Sequence, residues 1–578
     1  MHGRSSNNRM TPFRNTYNRP KVLSTNSSRI RLAAILLFAL ALTIPASAES
    51  SAAFAPDISA AGHGHILLVL PFDNLTPAQP VTAQSTPGTE QSSLDWLREA
   101  APEILNSRFA SAGFFPLTRE DRLYALDHLG LPETFQPSRA TALRIAETLD
   151  ADYILIGSYS VTTGSLTLKA RIIDVAKLSL SQEVTQSGPI AQLIPLLNSL
   201  AWQLTRKLDP GFSVAEETFR AAGSGLRLDA FEQYIRGLTE HDAAERLRHL
   251  KRATDLSPDF TAAWLATGKL QFAGQQYEQA AVSFGKVPSG DTAGLEAAFY
   301  RGLSLIFSGN YAHAEEAFAA VARVLPLPEV VNNQAVAISR RGRDATPLFR
   351  QASTADPTDA DYHFNLAVSM HAHGDYAGAI SEITASLKLH PNDSEAKAAQ
   401  QSWHSATVGD PTGGPLERIK RSYNGAAFRQ AALMLDEVEE ARLAALPGAE
   451  RAARLSNSAH EKLDRGLLLE AERGYQAALA ADDHSAQAHA GLAQVRERSG
   501  DADGARKEAT ASLTRQANVD AYLVLARLDL AANNLTQAHD EASSAVQLDA
   551  NSHAARDLRH AIETRIGNPQ SGANETKP

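Results

Sequence analysis

The chain contains no cysteine among its 578 residues. That excludes disulfides, thiolate metal sites and a thiol nucleophile, and it removes the lipid-attachment cysteine that a bacterial lipoprotein carries beside its cleavage site. No Gly-x-Ser-x-Gly elbow, phosphate loop or His-Glu-x-x-His helix is present, so the common hydrolase, nucleotide and zinc-peptidase chemistries lack their residues. Surplus positive charge is missing too. The formal charge is −10, and it becomes −17 if the seven basic residues of positions 1–48 are removed. An acidic chain of this kind is a poor binder of nucleic acid, where phosphate neutralisation dominates, or of an anionic membrane surface. Paired carboxylates such as Glu439-Glu440 fall in a solvated helical run, and nothing asks for an enzyme, a metal or a cofactor.

A long apolar run is also missing. The longest, Leu32–Ile44, follows Arg4, Arg9, Arg14, Arg19, Lys21, Arg29 and Arg31 and precedes Pro45-Ala46-Ser47-Ala48. A basic region, a short apolar stretch and a small-x-small site form a secretory signal pattern, and crossing a bilayer needs ~20 apolar residues. The expectation is a signal peptide over 1–48, a linker over 49–64 and a periplasmic or secreted mature chain without membrane insertion. The alternative is an inner-membrane anchor formed by an uncleaved segment.

What is present falls into two parts. His65–Phe72 is an apolar run suited to a strand buried on both faces. Helical spacing follows from Leu94 to Phe109, with Pro102 marking a kink or fresh start. Phe114–Leu117 reads as a short strand, Ser138–Leu149 as a capped helix and Tyr153–Gly157 as another buried strand. Gly164-Ser165 signals a hairpin turn. Beyond it Leu166, Leu168, Ala170 and Ile172 alternate with polar residues. A strand near 180–185 and a helix over about 190–208 complete the order β-α-β-α-β-β-β-α, an α/β domain over 65–208. The segments Leu68-Val69-Leu70-Pro71-Phe72-Asp73-Asn74-Leu75 and Ala151-Asp152-Tyr153-Ile154-Leu155-Ile156-Gly157-Ser158-Tyr159, with Leu166–Asp174 after them, resemble in order the strands of FlgO-like and TolB-N-terminal-like domains. The resemblance implies an envelope assembly or interaction module and brings no catalytic residue.

From 226 onward the period is 34 residues. Pro258 and Pro326 are 68 apart, Pro357 and Pro391 34 apart. Trp264, Gly268, Tyr277, Ala280 and Phe284 stand at positions 4, 8, 17, 20 and 24 of one unit, and Gly302, Gly309, Tyr311, Ala314, Phe318 and Pro326 match the next. This frame resembles the tetratricopeptide repeat (TPR). Small residues at 8 and 20 let paired helices approach, large ones at 4 and 24 fill the space between repeats, and several units must stack to bury their faces. The fold class is therefore an α/β domain followed by an all-α TPR solenoid: an array over 226–398, a linker over 399–414, helix resuming at Pro415-Leu416-Glu417-Arg418, a degenerate array over 415–566 and a tail over 567–578. The unit ending at Pro357 is three residues short, a loss assigned to its inter-helix turn near Gly342.

In this family positions 2, 5, 9, 12 and 13 of the first helix line the concave face. The resemblance thus offers Lys269, Phe272, Phe299, Leu303, Phe307, Asn333, Arg340, Arg341, Phe364 and His371 as partner-binding residues, an apolar stripe with cations suited to an extended or amphipathic peptide. For Phe299 and Phe364 the alternative is plain packing between helices. The family's carboxylate clamp is not present in full. His63-Gly64-His65, and His371 with His373, lack a third ligand, and Gly223-Ser224-Gly225 reads as a linker. The expected function is a non-enzymatic protein- or peptide-binding scaffold of unknown oligomeric state. The alternative is a sensor whose α/β domain binds a small molecule and whose solenoid relays it.

Overall fold

A computed structural model describes residues 64–77, 94–133, 137–223, 225–405, 415–423, 425, 438 and 441–567. The signal segment, most of the first linker and the tail beyond Gly567 lie outside the described residues.

The α/β unit is a mixed sheet. Strand β1 (Ile66–Val69) runs parallel to both β3 (Phe115–Pro116) and β4 (Tyr153–Thr162), and short β2 (Asp73–Asn74) extends along β4. Strand β5 (Ser165–Asp174) pairs antiparallel with β4, β6 (Ser179–Leu180) and β7 (Val184–Pro189). The apolar run at 66–70 is buried on both faces, as its composition requires: Leu67 and Val69 join one core and Leu68 and Leu70 the other. The alternation in β5 sends Leu166, Leu168, Ala170 and Ile172 into a single core. Between β4 and β5, Thr163 (φ 48°) and Gly164 (φ 78°) both adopt left-handed conformations, the two-residue turn whose twist matches the strands.

Helix α1 (Leu97–Ser111) carries Pro102 inside it. Proline has no N–H for the carbonyl four residues back, and that carbonyl, on Arg98, accepts instead from the Phe72 N–H at 3.1 Å. The helix break thus ties α1 to the end of β1. Helix α2 (Arg119–His128) is absent from the order read off the sequence. Its start is a capping box in which Thr118 and Asp121 satisfy each other's backbone, and its Ala125 and Leu126 close the core shared with α3 (Arg139–Thr148). Helix α4 (Leu193–Leu208) covers the other face, and short α5 (Glu216–Ala221) drives Phe219 fully into that core.

The helical part continues that core without a break, because Phe231, Tyr234 and Ile235 of α6 (Leu228–Thr239) belong to it. Antiparallel hairpins follow: α6 with α7 (Ala243–Leu256), α8 (Thr261–Ala273) with α9 (Tyr277–Phe284), α10 (Gly294–Phe307) with α11 (Tyr311–Val324), α12 (Pro328–Ser339) with α13 (Thr346–Ala355), and α14 (Ala360–Ala372) with α15 (Tyr376–Leu389), then α16 (Ser394–Ser405). The large residue at position 24, expected between repeats, packs on the glycine at position 8 of its own unit. A Cβ on Gly268 or Gly302 would lie 2.7 Å from the ring of Phe284 or Phe318.

Three expectations are corrected. The short unit has a longer inter-helix turn than its neighbours, 340–345, and shorter helices: 12 and 10 residues in α12 and α13 against 14 and 14 in α10 and α11. Gly342, at φ 73°, turns the chain there, and Arg341 and Arg343 fix the loop on Glu315. The region read as a linker from 399 begins as helix, since α16 runs to Ser405. Helix does not resume at Pro415; residues 415–423 are without helix, for a reason given by the groove they occupy.

The second array comprises α17 (Gly448–Asp464), α18 (Leu468–Ala481), α19 (Ala486–Arg498), α20 (Ala502–Arg515), α21 (Val519–Ala531), α22 (Leu535–Leu548) and α23 (His553–Gly567). It packs mainly through alanines, with Tyr475 filling the space over Gly491. Its α18 folds back on the first unit. Fully buried Glu472 accepts from the Ala215 N–H (3.0 Å) and the Thr218 hydroxyl, and pairs with Arg496 (2.7 Å). Nearby, Arg473 donates to the Ser111 carbonyl at 2.8 Å.

Candidate functional site: a groove filled by the chain itself

Helices α10, α12 and α14 are the first helices of successive hairpins, α16 follows them, and residues 415–423 lie along the groove they form. The segment runs opposite to the repeat order. Arg418 sits at α14 and α16, Lys420 at α12 and α14, and Tyr423 at α10. Position 5 of three consecutive repeats meets it: Phe364 lies under the Arg418 guanidinium (3.7 Å), Asn333 holds Lys420, and Phe299 meets the Tyr423 ring edge-on (centroids 4.9 Å).

Backbone recognition comes from three fully buried asparagines, Asn332, Asn333 and Asn365. The Asn365 Oδ1 accepts from the Arg418 N–H (2.6 Å), and its Nδ2 donates to the Arg418 carbonyl (2.7 Å) and to Asn332 Oδ1 (2.8 Å). Asn332 Nδ2 donates to the same Arg418 carbonyl at 3.1 Å. Asn333 repeats the pattern at Lys420, accepting at 2.9 Å and donating at 2.8 Å. A primary amide offers two donors and an acceptor, so each side chain replaces a neighbouring strand for one residue. The N–H and C=O groups of Arg418 and Lys420, and the Glu417 carbonyl, are thus satisfied from outside the segment, which offsets what a helix would have supplied them.

Side-chain recognition is electrostatic. Arg418 pairs with Asp361 (3.0 Å), Asp393 (2.7 Å) and Glu395 (3.0 Å), and Lys420 with Asp359 and Asp361 (both 2.7 Å). Burial by itself would raise the Asp361 pKa; Lys420 and Arg418 outweigh it and hold the carboxyl below its usual range. The hydrogen bond from Arg418 depresses Asp393 likewise. Lys420 also stands over the Tyr362 ring (4.9 Å) and Arg421 over Phe307 (5.0 Å). On the other side Glu417 binds Arg340 (3.1 Å) and the Ser339 hydroxyl.

The sequence-derived residues therefore divide. Asn333, Arg340, Phe299, Phe307 and Phe364 touch the segment. Leu303 is fully buried in the core, and Phe272 joins a ring cluster with Tyr277, Tyr300 and Phe307. Lys269 pairs with Glu296 at 2.7 Å, Arg341 turns to Glu315, and His371 stacks on Trp403 (4.5 Å). Sequence reasoning missed Asn332, Asn365, Asp359, Asp393 and Glu395. The available signal was the run of acids at repeat starts set against Arg418-x-Lys420.

Elsewhere, a polar cleft of about 350 Å³ between α1, α2 and α6 is lined by Arg98, Glu99, Arg119, Arg236, His241 and His249. Glu99 is already bound to Arg122 there, and both cores of the α/β sheet are filled with side chains. His65 lies against Asp152 (3.4 Å), while His63 is outside the described residues. His373 bonds its own helix at the Ser369 carbonyl (2.8 Å). Asp482, Asp483 and His484 gather on a turn, where Asp482 caps the His484 N–H. Among the described residues no helix is long and apolar enough to cross a membrane.

No curated protein matches the chain. Among solved structures it is similar to YrrB, a TPR protein with an unusual peptide-binding site (16% identity, 31% of this chain and 96% of that one, TM-score 0.29). It is also similar to the TPR domain of P58(IPK) (18%, 60% and 100%, TM-score 0.20) and the C-terminal domain of LpoB from Escherichia coli (22%, 23% and 87%, TM-score 0.15). Residues 338–402, from the end of α12 into α16, match the tetratricopeptide repeat family model. Hairpins in the same 34-residue frame stand on the N-terminal side of that stretch, so residues 338–402 carry tetratricopeptide repeats within a longer run of helical hairpins.

Proposed function

We propose that the protein is an exported, non-enzymatic scaffold, periplasmic or secreted, that binds a protein partner by taking up an extended peptide segment along the groove of its first repeat array. The observation that carries this reading is the pair of amide clamps, Asn365 on Arg418 and Asn333 on Lys420. Bonds to backbone N–H and C=O recognise an extended chain as such, and the flanking acids and rings select its side chains. This is peptide recognition by main-chain pairing with side-chain pockets. The signal pattern of residues 1–48 and the envelope-type resemblance of 65–208 support the location, and the continuous core between the α/β unit and α6 supports a single rigid platform.

The test is capture from envelope extracts with the full chain and with Asn333→Ala/Asn365→Ala, followed by direct titration of the captured partner. The reading expects a partner that the wild type holds and the double variant loses while it keeps the wild-type circular dichroism spectrum and a cooperative melt. A partner retained equally by both would place binding away from the groove.

A further inference from the structure

The groove pairs with charge as well as with backbone. Four carboxylates, on Asp359, Asp361, Asp393 and Glu395, face two cations of the bound segment, Arg418 and Lys420. These cations are two residues apart, so an extended backbone points both to the same side, and aromatic rings lie beneath them at Phe364 and Tyr362. We propose that residues 415–423 are a resident competitor for this groove, and that the external ligand is an extended segment of another protein carrying Arg-x-Lys, which must displace it. The proposal rests on the groove being a peptide site and adds what enters it and what holds it closed.

The arithmetic of a tether gives the proposal a number. A segment held in the same chain acts at an effective concentration of about millimolar. A free peptide of identical sequence therefore half-saturates the intact protein only near that concentration, however tight the open groove is.

The experiment titrates a labelled peptide of residues 415–423 into the full chain, into Arg418→Glu/Lys420→Glu, and into that variant carrying Asn333→Ala/Asn365→Ala as well. The expected result is binding near millimolar to the wild type, at least tenfold tighter to the first variant, and none to the second. A peptide with glutamate at both basic positions should bind none of them. A folded Arg418→Glu/Lys420→Glu protein with no gain in affinity overturns the proposal. Should that variant fail to fold, the wild type gives the answer: saturating peptide must speed exchange of the Arg418 and Lys420 amides, and binding that leaves them protected overturns it. A captured partner that depends on Asn333 and Asn365 but leaves those amides protected keeps the peptide reading and overturns this one.

Discussion

Asn333 closes a two-bond ring with the backbone of Lys420, accepting its N–H at 2.9 Å and donating to its carbonyl at 2.8 Å, across 87 residues of sequence. The amide is fully buried beneath the docked segment, and its Oδ1 also accepts from Asn332 Nδ2 at 3.3 Å, so while the segment stays docked a lost bond leaves a buried polar group short of a partner. Burying such a group costs roughly 1–3 kcal/mol, and the contact is accordingly specific.

Arg418, Lys420 and Arg421 are trypsin sites held in the groove. In the wild type, cleavage after them should be at least tenfold slower than in the free peptide of residues 415–423. Asn365→Ala removes three hydrogen bonds of that residue and should restore much of the rate. Timed digestion with mass spectrometry reads this directly.

The ion pairs of the segment set its pH range. Asp361 and Asp393 are held below their ordinary value of 3.8 in the docked state, so docking gains from their charge above that value and loses it as pH falls through the depressed one. Protection of the Arg418 amide, corrected for intrinsic exchange, should be flat from pH 5 to 8 and decline below about pH 4.

Glu103 behaves in the opposite sense. It lies between α1 and α6, 3.3 Å from the Tyr234 hydroxyl, and burial, with Glu120 and Glu99 adding to it, pushes its pKa up to about 7 from 4.5. The folded state therefore binds more protons between those values, and stability falls as pH rises through that window. Glu103→Gln should flatten this fall and raise the apparent Tm at pH 8. A gain on the order of 1 kcal/mol corresponds to roughly 2–4 °C, measurable by calorimetry at pH 5 and 8.

Helix approach is the limiting dimension of the repeats. Gly302→Val places new atoms inside the Phe318 ring contact, and overpacking of this kind costs about 1–3 kcal/mol. Thermal or urea denaturation should show that loss. The exposed turn glycine Gly130, with open space around it but a positive φ of 68°, should lose less on replacement by Asn.

Much of this architecture was legible because it follows from periodicity. Alternation in 166–172 gave β5 with its buried face, and the 34-residue frame marked Gly268, Phe284, Gly302 and Phe318 as packing positions, although the contact of each phenylalanine with the glycine of its own unit was not read from it. The groove residues were half legible. Position 5 points to Phe299, Asn333 and Phe364, which meet residues 415–423, while the same frame also offers Leu303, which packing takes inward, and Lys269, which pairs with Glu296. The occupant was not legible at all. Leu416-Glu417-Arg418-Ile419-Lys420-Arg421 is made largely of good helix formers, and the partners that hold it without helix stand between 23 (Glu395) and 87 (Asn333) residues away or further. Tertiary contacts decide that segment, and local preference does not record them. The capping box at Thr118 and Asp121 is a different case, a local signal for α2 that was present and passed over.

The central claim is that this groove clamps an extended chain by its backbone. Hydrogen exchange of the full-length protein at the Arg418 and Lys420 amides tests it most directly, since these are the N–H groups that Asn365 and Asn333 accept. The account predicts slow exchange at both, against fast exchange at Leu416, and acceleration of about tenfold or more at Lys420 in Asn333→Ala. Exchange at Arg418 and Lys420 as fast as in the free peptide would contradict it.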